Sequence, residues 1–166
     1  MKKFILLYIV FLLPICLFAQ SKTTKSTLKK IIRDSKVELF NDKFTLPSNK
    51  AWVFNNADSL YFKQDTLTAF LYKSSKQKSL CELIDWTFYR KKSFILGSES
   101  NCKEPPTRKA TKYPKDYFTI AIYTVENETM IDVLRYDKMI VESFIILNIE
   151  ENQDCTKIKL IRRFKV

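Results

Sequence analysis

From Lys36 to the C-terminus the chain is a succession of short runs in which apolar and polar residues alternate. Successive side chains of an extended strand point to opposite faces, so each run describes a strand that buries one face. The runs are Lys36 to Phe40, Lys43 to Leu46, Ala51 to Asn55, Thr66 to Lys73, Cys81 to Arg90, Ser93 to Ser98, Tyr117 to Val125, Met130 to Tyr136, Ile140 to Ile149 and Lys157 to Phe164. Leu60 and Phe62 resume the alternation after the turn Asn55-Asn56-Ala57-Asp58. Trp52 and Phe54 share one side of their strand, and Ile84, Trp86 and Phe88 share one side of theirs. In the last run Ile158, Leu160 and Phe164 are expected inward, with Lys157, Lys159 and Arg163 outward. Roughly nine short strands joined by polar turns, with no central helix, predict an all-β domain. The expected architecture is a single antiparallel up-and-down β-barrel with a short N-terminal helix; a β-sandwich and an α+β cone are the alternatives.

The helix is predicted immediately before the strands. Ser26 is placed to cap it, Leu28, Ile31 and Ile32 share its apolar face, and Lys29, Lys30 and Arg33 lie outside. A helix of about two turns is not stable alone, so it must brace one end of the sheet. Gln20 to Thr27 is polar and basic and reads as a flexible lead-in. Ahead of it, Met1-Lys2-Lys3, the apolar run Phe4 to Leu13, Pro14 and the small residue Ala19 before Gln20 form an export leader. The apolar stretch falls short of the about 20 residues that a membrane span needs. The domain plan is therefore a signal peptide over 1–19, a lead-in over 20–27 and a barrel over 28–166. The mature protein is expected to be exported, soluble in a periplasm or outside the cell, and without a transmembrane span. Lipid attachment at Cys16 is the weaker expectation, because Pro14-Ile15 precede it where a small residue is needed.

Cys81, Cys102 and Cys155 remain after the leader, which predicts one disulfide and one free thiol in an oxidising compartment. If Lys91-Lys92 form a two-residue hairpin turn, Tyr89 faces Phe94, Trp86 faces Gly97 and Cys81 faces Cys102. That register makes Cys81–Cys102 the disulfide candidate, with Cys102–Cys155 next.

Charge and missing residue types narrow the chemistry. The net charge is +11 over the whole chain and +9 without Lys2 and Lys3 of the leader. With 23 lysines and six arginines, this is mainly a solvated lysine coat rather than the planar forks that read nucleic acid. No nucleic-acid partner is expected; an anionic envelope component is the charged partner that fits. The absence of His excludes His-based triads and His metal sites, and Gly97, the only glycine, leaves no phosphate-cradling loop. Glu126, Glu128, Glu150, Glu151, Asp132 and Asp137 occupy turn or solvent-facing positions, and no pair of them stands out as catalytic. No cofactor, metal or catalytic residue is expected, and a carboxylate-based enzyme is the minor alternative.

The order of the pieces resembles small secreted lipocalin-like domain proteins of the Bacteroidetes type. The resemblance is carried by the Phe18-Ala19-Gln20 leader end, Trp52-x-Phe54 with its polar turn, Trp86-Thr87-Phe88, and the closing pair Phe144 to Ile149 and Lys157 to Arg162. A barrel of about eight strands has an interior just able to hold one small ligand. The inward aromatic residues Trp52, Phe54, Trp86 and Phe88 are then the ligand-binding candidates, unless they simply fill the core. The function expected is a non-enzymatic binding protein for a small apolar ligand. The alternative is an interaction module, an inhibitor or accessory factor of the envelope. It would use Lys103, Arg108, Lys109, Lys112 and Lys115 of the long loop Asn101 to Asp116 against an acidic partner.

Overall fold

In the computed structural model, which describes residues 25–37, 50–73, 80–110 and 117–165, the alternating runs form one sheet that closes on itself. In chain order the elements are α1 (Lys25–Asp34), β1 (Trp52–Asn55), a 3-10 turn (Ala57–Ser59), α2 (Leu60–Lys63), β2 (Thr66–Tyr72), β3 (Glu82–Arg90), β4 (Ser93–Ser100), β5 (Thr107–Ala110), β6 (Tyr117–Val125), β7 (Glu128–Leu134), β8 (Ile140–Glu151) and β9 (Cys155–Lys165). Every pairing is antiparallel, and the circuit runs β2-β1-β3-β4-β6-β7-β8-β9 and back to β2. β5 and β6 share one edge of β4: Thr107–Ala110 pair with Gly97 to Ser100, and Tyr117 to Thr119 pair with Ser93 to Ile95. The barrel therefore has eight staves, one of them made in two pieces. This is the all-β antiparallel barrel expected from the alternation, and closure leaves no long edge exposed to foreign strands.

The meander is interrupted once. β1 lies between β2 and β3, pairing Val53 with Phe70 on one side and Trp52 with Trp86 on the other. β2 and β3 consequently run in the same direction. The inward faces carry Trp52, Phe54, Leu67, Ala69, Ile84, Trp86, Phe88, Phe94, Ile120, Ile131, Val133, Phe144, Ile146, Ile158 and Leu160, all within one buried cluster. α1 closes one end: Leu28, Ile31 and Ile32 join that cluster, as their shared face predicts. Ser35 behind the helix accepts the Trp52 Nε1 proton at 3.0 Å, and the Val37 N–H donates to the Phe88 carbonyl at 2.8 Å.

Several expectations are corrected. Ser26 lies within the described part of α1, Lys25–Asp34, rather than ahead of it. Leu60 to Lys63 is one helical turn, not strand, because Asp58 and Ser59 adopt left-handed backbone (φ 52° and 63°) and fold the chain back over the barrel. The segment Asn101 to Asp116 is not all loop, since its middle pairs as β5. In the β3–β4 hairpin Arg90 pairs with Ser93, but a bulge before it shifts the rest by one: Trp86 faces Leu96, and Gly97 faces Asp85. The Cys81–Cys102 disulfide nevertheless forms, with Cα atoms 4.9 Å apart, because Asn101 extends the pairing by donating to the Cys81 carbonyl and places Cys102 alongside. Cys155 is a buried free thiol. A bulge near the end of β9 turns Phe164 outward and leaves Arg162 in the inward row after Ile158 and Leu160. Asp132 is buried on β7, accepting from Tyr123 at 3.0 Å and Ser143 at 2.6 Å, instead of facing solvent. The expected strands Lys36 to Phe40 and Lys43 to Leu46 fall largely, and the leader wholly, outside the described residues.

With one glycine in the chain, other residues take the left-handed positions of the turns. Glu126 and Asn127 (φ 46° and 72°) close the β6–β7 hairpin between Val125 and Glu128, the geometry that Asn-Gly satisfies best. Replacing them together, Glu126→Asn with Asn127→Gly, is expected to raise stability by about 1 kcal/mol. Urea unfolding checks this; an unchanged or lower midpoint would contradict the turn geometry.

Candidate functional site

At the end opposite α1 the barrel is only partly covered. α2 lies across the opening and leaves a half-open pocket of about 200 Å³. Its walls are Trp86, Phe94, Leu96, Phe118, Val133 and Val141, with Tyr61, Phe62, Arg135 and Glu142 at the rim. The walls follow from strand parity, because Trp86, Phe94 and Phe118 all project inward from β3, β4 and β6. Their rings form a ladder with Trp52: Trp52 and Trp86 stack at 6.1 Å, Trp86 and Phe94 at 4.6 Å, and Phe94 and Phe118 at 5.5 Å. Such offset pairs add about 0.5–1.5 kcal/mol each beyond the area they bury.

All four predicted ligand-binding residues thus lie inside the barrel, at 1% exposure or less, but only Trp86 lines the pocket. Trp52 and Phe88 are covered toward the α1 end. Phe54 packs edge-on against Tyr61 and tilted against Trp86, and fills the space beneath α2. The interior is therefore packed at one end and hollow at the other.

The rim is tied by a chain of polar groups. Trp86 Nε1 donates to the Tyr61 hydroxyl at 3.1 Å, and that hydroxyl donates to Glu142 Oε2 at 3.0 Å. Arg162 reaches Glu142 Oε1 at 3.4 Å and donates to the Tyr61 carbonyl at 2.7 Å and to the Gln64 carbonyl. Its guanidinium lies over the Tyr61 and Phe144 rings, at 5.5 and 5.4 Å. α2 is thereby latched to β3, β8 and β9 at once. Burial, reinforced by the negative charge of Glu142, pushes the Tyr61 hydroxyl well above its usual range, so it remains a neutral donor. Sequence reading overlooked these residues, although a signal was present. Glu142 and Arg162 stand where Phe144-Ile146 and Ile158-Leu160 set an inward parity, and a charge in that row needs a partner.

The predicted interaction residues separate into three groups. Lys103 and Lys109 are exposed, while Lys112 and Lys115 lie outside the described residues. Arg108 is not free. From β5 it crosses the outer wall to Asp85, 2.8 Å from Oδ1 and 3.1 Å from Oδ2, and its other nitrogen reaches Glu99 at 3.2 Å. Asp85 is 1% exposed and also accepts from Thr87 at 2.8 Å. Burial pushes its carboxyl above the usual carboxylate range, with Arg108 and Thr87 pulling it back. The pair fits because Gly97 faces Asp85: a Cβ there would collide with the Asp85 carboxylate and sit 2.8 Å from Arg108 Nη2.

A broader groove of about 420 Å³ beside α1 is edged by Lys30, Asp34, Lys50, Lys73 and Glu151. Its charged border and its place on the outer surface suit it less to an apolar guest than the aromatic pocket at the mouth. No helix among the described residues is long and apolar enough to cross a membrane. Comparison with known proteins finds no matching family model, no matching curated protein and no matching solved structure.

Gly97→Ala is expected to destabilise the protein by about 2–3 kcal/mol through overpacking against the ion pair. The same change in an Asp85→Ala background is expected to have a clearly smaller effect, because the colliding group has gone. Equal losses in both backgrounds, measured by denaturant unfolding, would contradict this role for the glycine.

Proposed function

We propose that the protein is an exported, non-enzymatic, lipocalin-like binding protein whose barrel mouth takes up one small apolar group. The observation that carries this reading is the pocket at the mouth, lined by the Trp86, Phe94 and Phe118 rings. Its volume of about 200 Å³ lies below the roughly 300 Å³ at which drug-sized sites begin. An apolar cavity of about 150 Å³ already accepts benzene. The guest that fits is therefore a single ring or a short aliphatic chain, and Phe54 and Phe88 leave no depth for a longer one. Export is supported by the leader residues and by the Cys81–Cys102 disulfide, which belongs to an oxidising compartment.

The acidic-partner reading is weaker on this geometry, because Arg108, the one arginine of the candidate loop, is occupied by Asp85 and Glu99. Lys103 and Lys109 would have to carry the contact.

Trp86 reports on the pocket directly. In a Trp52→Phe variant, where Trp86 is the only tryptophan, bromobenzene and a short brominated carboxylic acid are expected to quench fluorescence with saturation. Leu96→Phe added to that variant, which places a ring in the pocket, is expected to abolish the saturable part. Quenching that rises linearly with concentration in both proteins would end the small-ligand reading.

A further inference from the structure

Among the described residues, seven large apolar side chains are strongly exposed, and five of them stand at the mouth end of the barrel. Phe62 projects from α2; Tyr136, Met139 and Ile140 come from the β7–β8 connection, and Phe164 from the end of β9. The other two, Val125 and Leu147, lie toward the α1 end. The mouth group is continuous with the pocket: Phe62 and Arg135 line it, the Arg135 guanidinium lies over the Tyr136 ring, and the same group reaches the Met139 sulfur at 3.5 Å.

The β7–β8 turn is held rigidly by its own bonds. The Arg135 N–H donates to the Met139 carbonyl, the Lys138 N–H to the Arg135 carbonyl, and the Met139 N–H to the Asp137 carboxylate. Arg135 and Asp137 pair at 2.5 Å. The Arg135, Lys138 and Met139 N–H groups and the Asp137 carboxylate are thus used within the turn, and Tyr136, Met139 and Ile140 project outward beside the Lys138 cation. Cations flank the protruding side chains, Lys63 beside Phe62 and Lys138 beside Met139. Asp58 and Asp65 are the exposed acids on the α2 side. Aromatic and aliphatic knobs alternating with lysines suit a lipid interface, where rings enter the headgroup boundary and ammonium groups stay at the phosphates. The net charge of +9 that remains without the two leader lysines adds long-range attraction to an anionic surface and disfavours contact with a second copy of the chain.

We infer that the barrel mouth docks on anionic lipid membranes through Phe62, Tyr136, Met139 and Ile140, with Lys63 and Lys138 at the headgroups. Docking in this orientation turns the pocket toward the bilayer, a reservoir of apolar molecules. The inference deepens the small-ligand reading by naming where the ligand is exchanged, but it does not require the pocket to be filled.

Sedimentation with vesicles tests it. The protein is expected to bind vesicles of phosphatidylglycerol and phosphatidylcholine, and to bind at least tenfold more weakly to phosphatidylcholine alone. Tyr136→Asp with Met139→Asp, both exposed and outside the pocket lining, is expected to weaken binding at least tenfold. Leu147→Asp, a comparably exposed apolar side chain toward the other end, is expected to leave it unchanged. No binding to the anionic vesicles, or equal binding by the two variants, would overturn the inference. So would a dimer in light scattering that the double variant dissolves, because a second copy would then cover the rim. Trp86 quenching by bromobenzene in the double variant, carried out in the Trp52→Phe background, separates the two ideas: retained quenching with lost vesicle binding places the failure in docking alone.

Discussion

The row of stacked rings Trp52, Trp86, Phe94 and Phe118 crosses four neighbouring staves, and most of the structure is arranged around it. Trp52 can enter the row only because β1 is inserted between β2 and β3, where its first residue pairs with Trp86. The indole N–H of each tryptophan then needs a partner, since an unpaired buried donor is destabilising. At one end Ser35 meets that need and holds α1 against the barrel; at the other Tyr61 meets it and holds α2. The two covers of the barrel thus hang on the two tryptophans. The ends differ because α1 brings three buried aliphatic side chains, whereas α2 turns one ring in and one out and leaves space beside it.

Polar groups supply the specificity that hydrophobic burial lacks. Inside the mouth, Tyr61, Glu142 and Arg162 bind a short helix to three strands. On the outer wall, Asp85 and Arg108 bind β5 to the β3–β4 hairpin, and the Cys81–Cys102 disulfide ties the residue before β3 to the connection that leaves β4. Buried ion pairs of this kind are weak sources of net stability, but removing one partner leaves an uncompensated charge. They fix which segment lies where. The lone glycine belongs to this arrangement: Gly97 is required for close approach, not for an unusual backbone angle.

Much of the barrel was legible because alternation is a direct image of the pleat. Trp52 with Phe54, and Ile84 with Trp86 and Phe88, face inward as their spacing implies, and Leu28, Ile31 and Ile32 form the buried face of α1. What escaped depends on contacts remote in sequence. The strand order around β1 leaves no mark on local periodicity. The bulge before Arg90 moves the hairpin register by one residue, yet the cysteines still meet because Asn101 prolongs the ladder. Tyr61 was hidden because Leu60 and Phe62 mimic a strand until Asp58 and Ser59 reverse the chain. The pocket depends on how far Phe94, Phe118 and Val133 fill the mouth, which composition does not record.

The aromatic ladder and the mouth both require a closed sheet with β1 between β2 and β3, and nuclear Overhauser contacts between backbone protons test this most directly. Contacts joining Trp52 to Trp86 and Phe54 to Ile84 across β1–β3, together with Thr68 to Lys159 across β2–β9, are the predicted result. Contacts joining β2 directly to β3, or none between β2 and β9, would describe a different or open sheet. Either finding would remove both the aromatic ladder and the mouth built at its end.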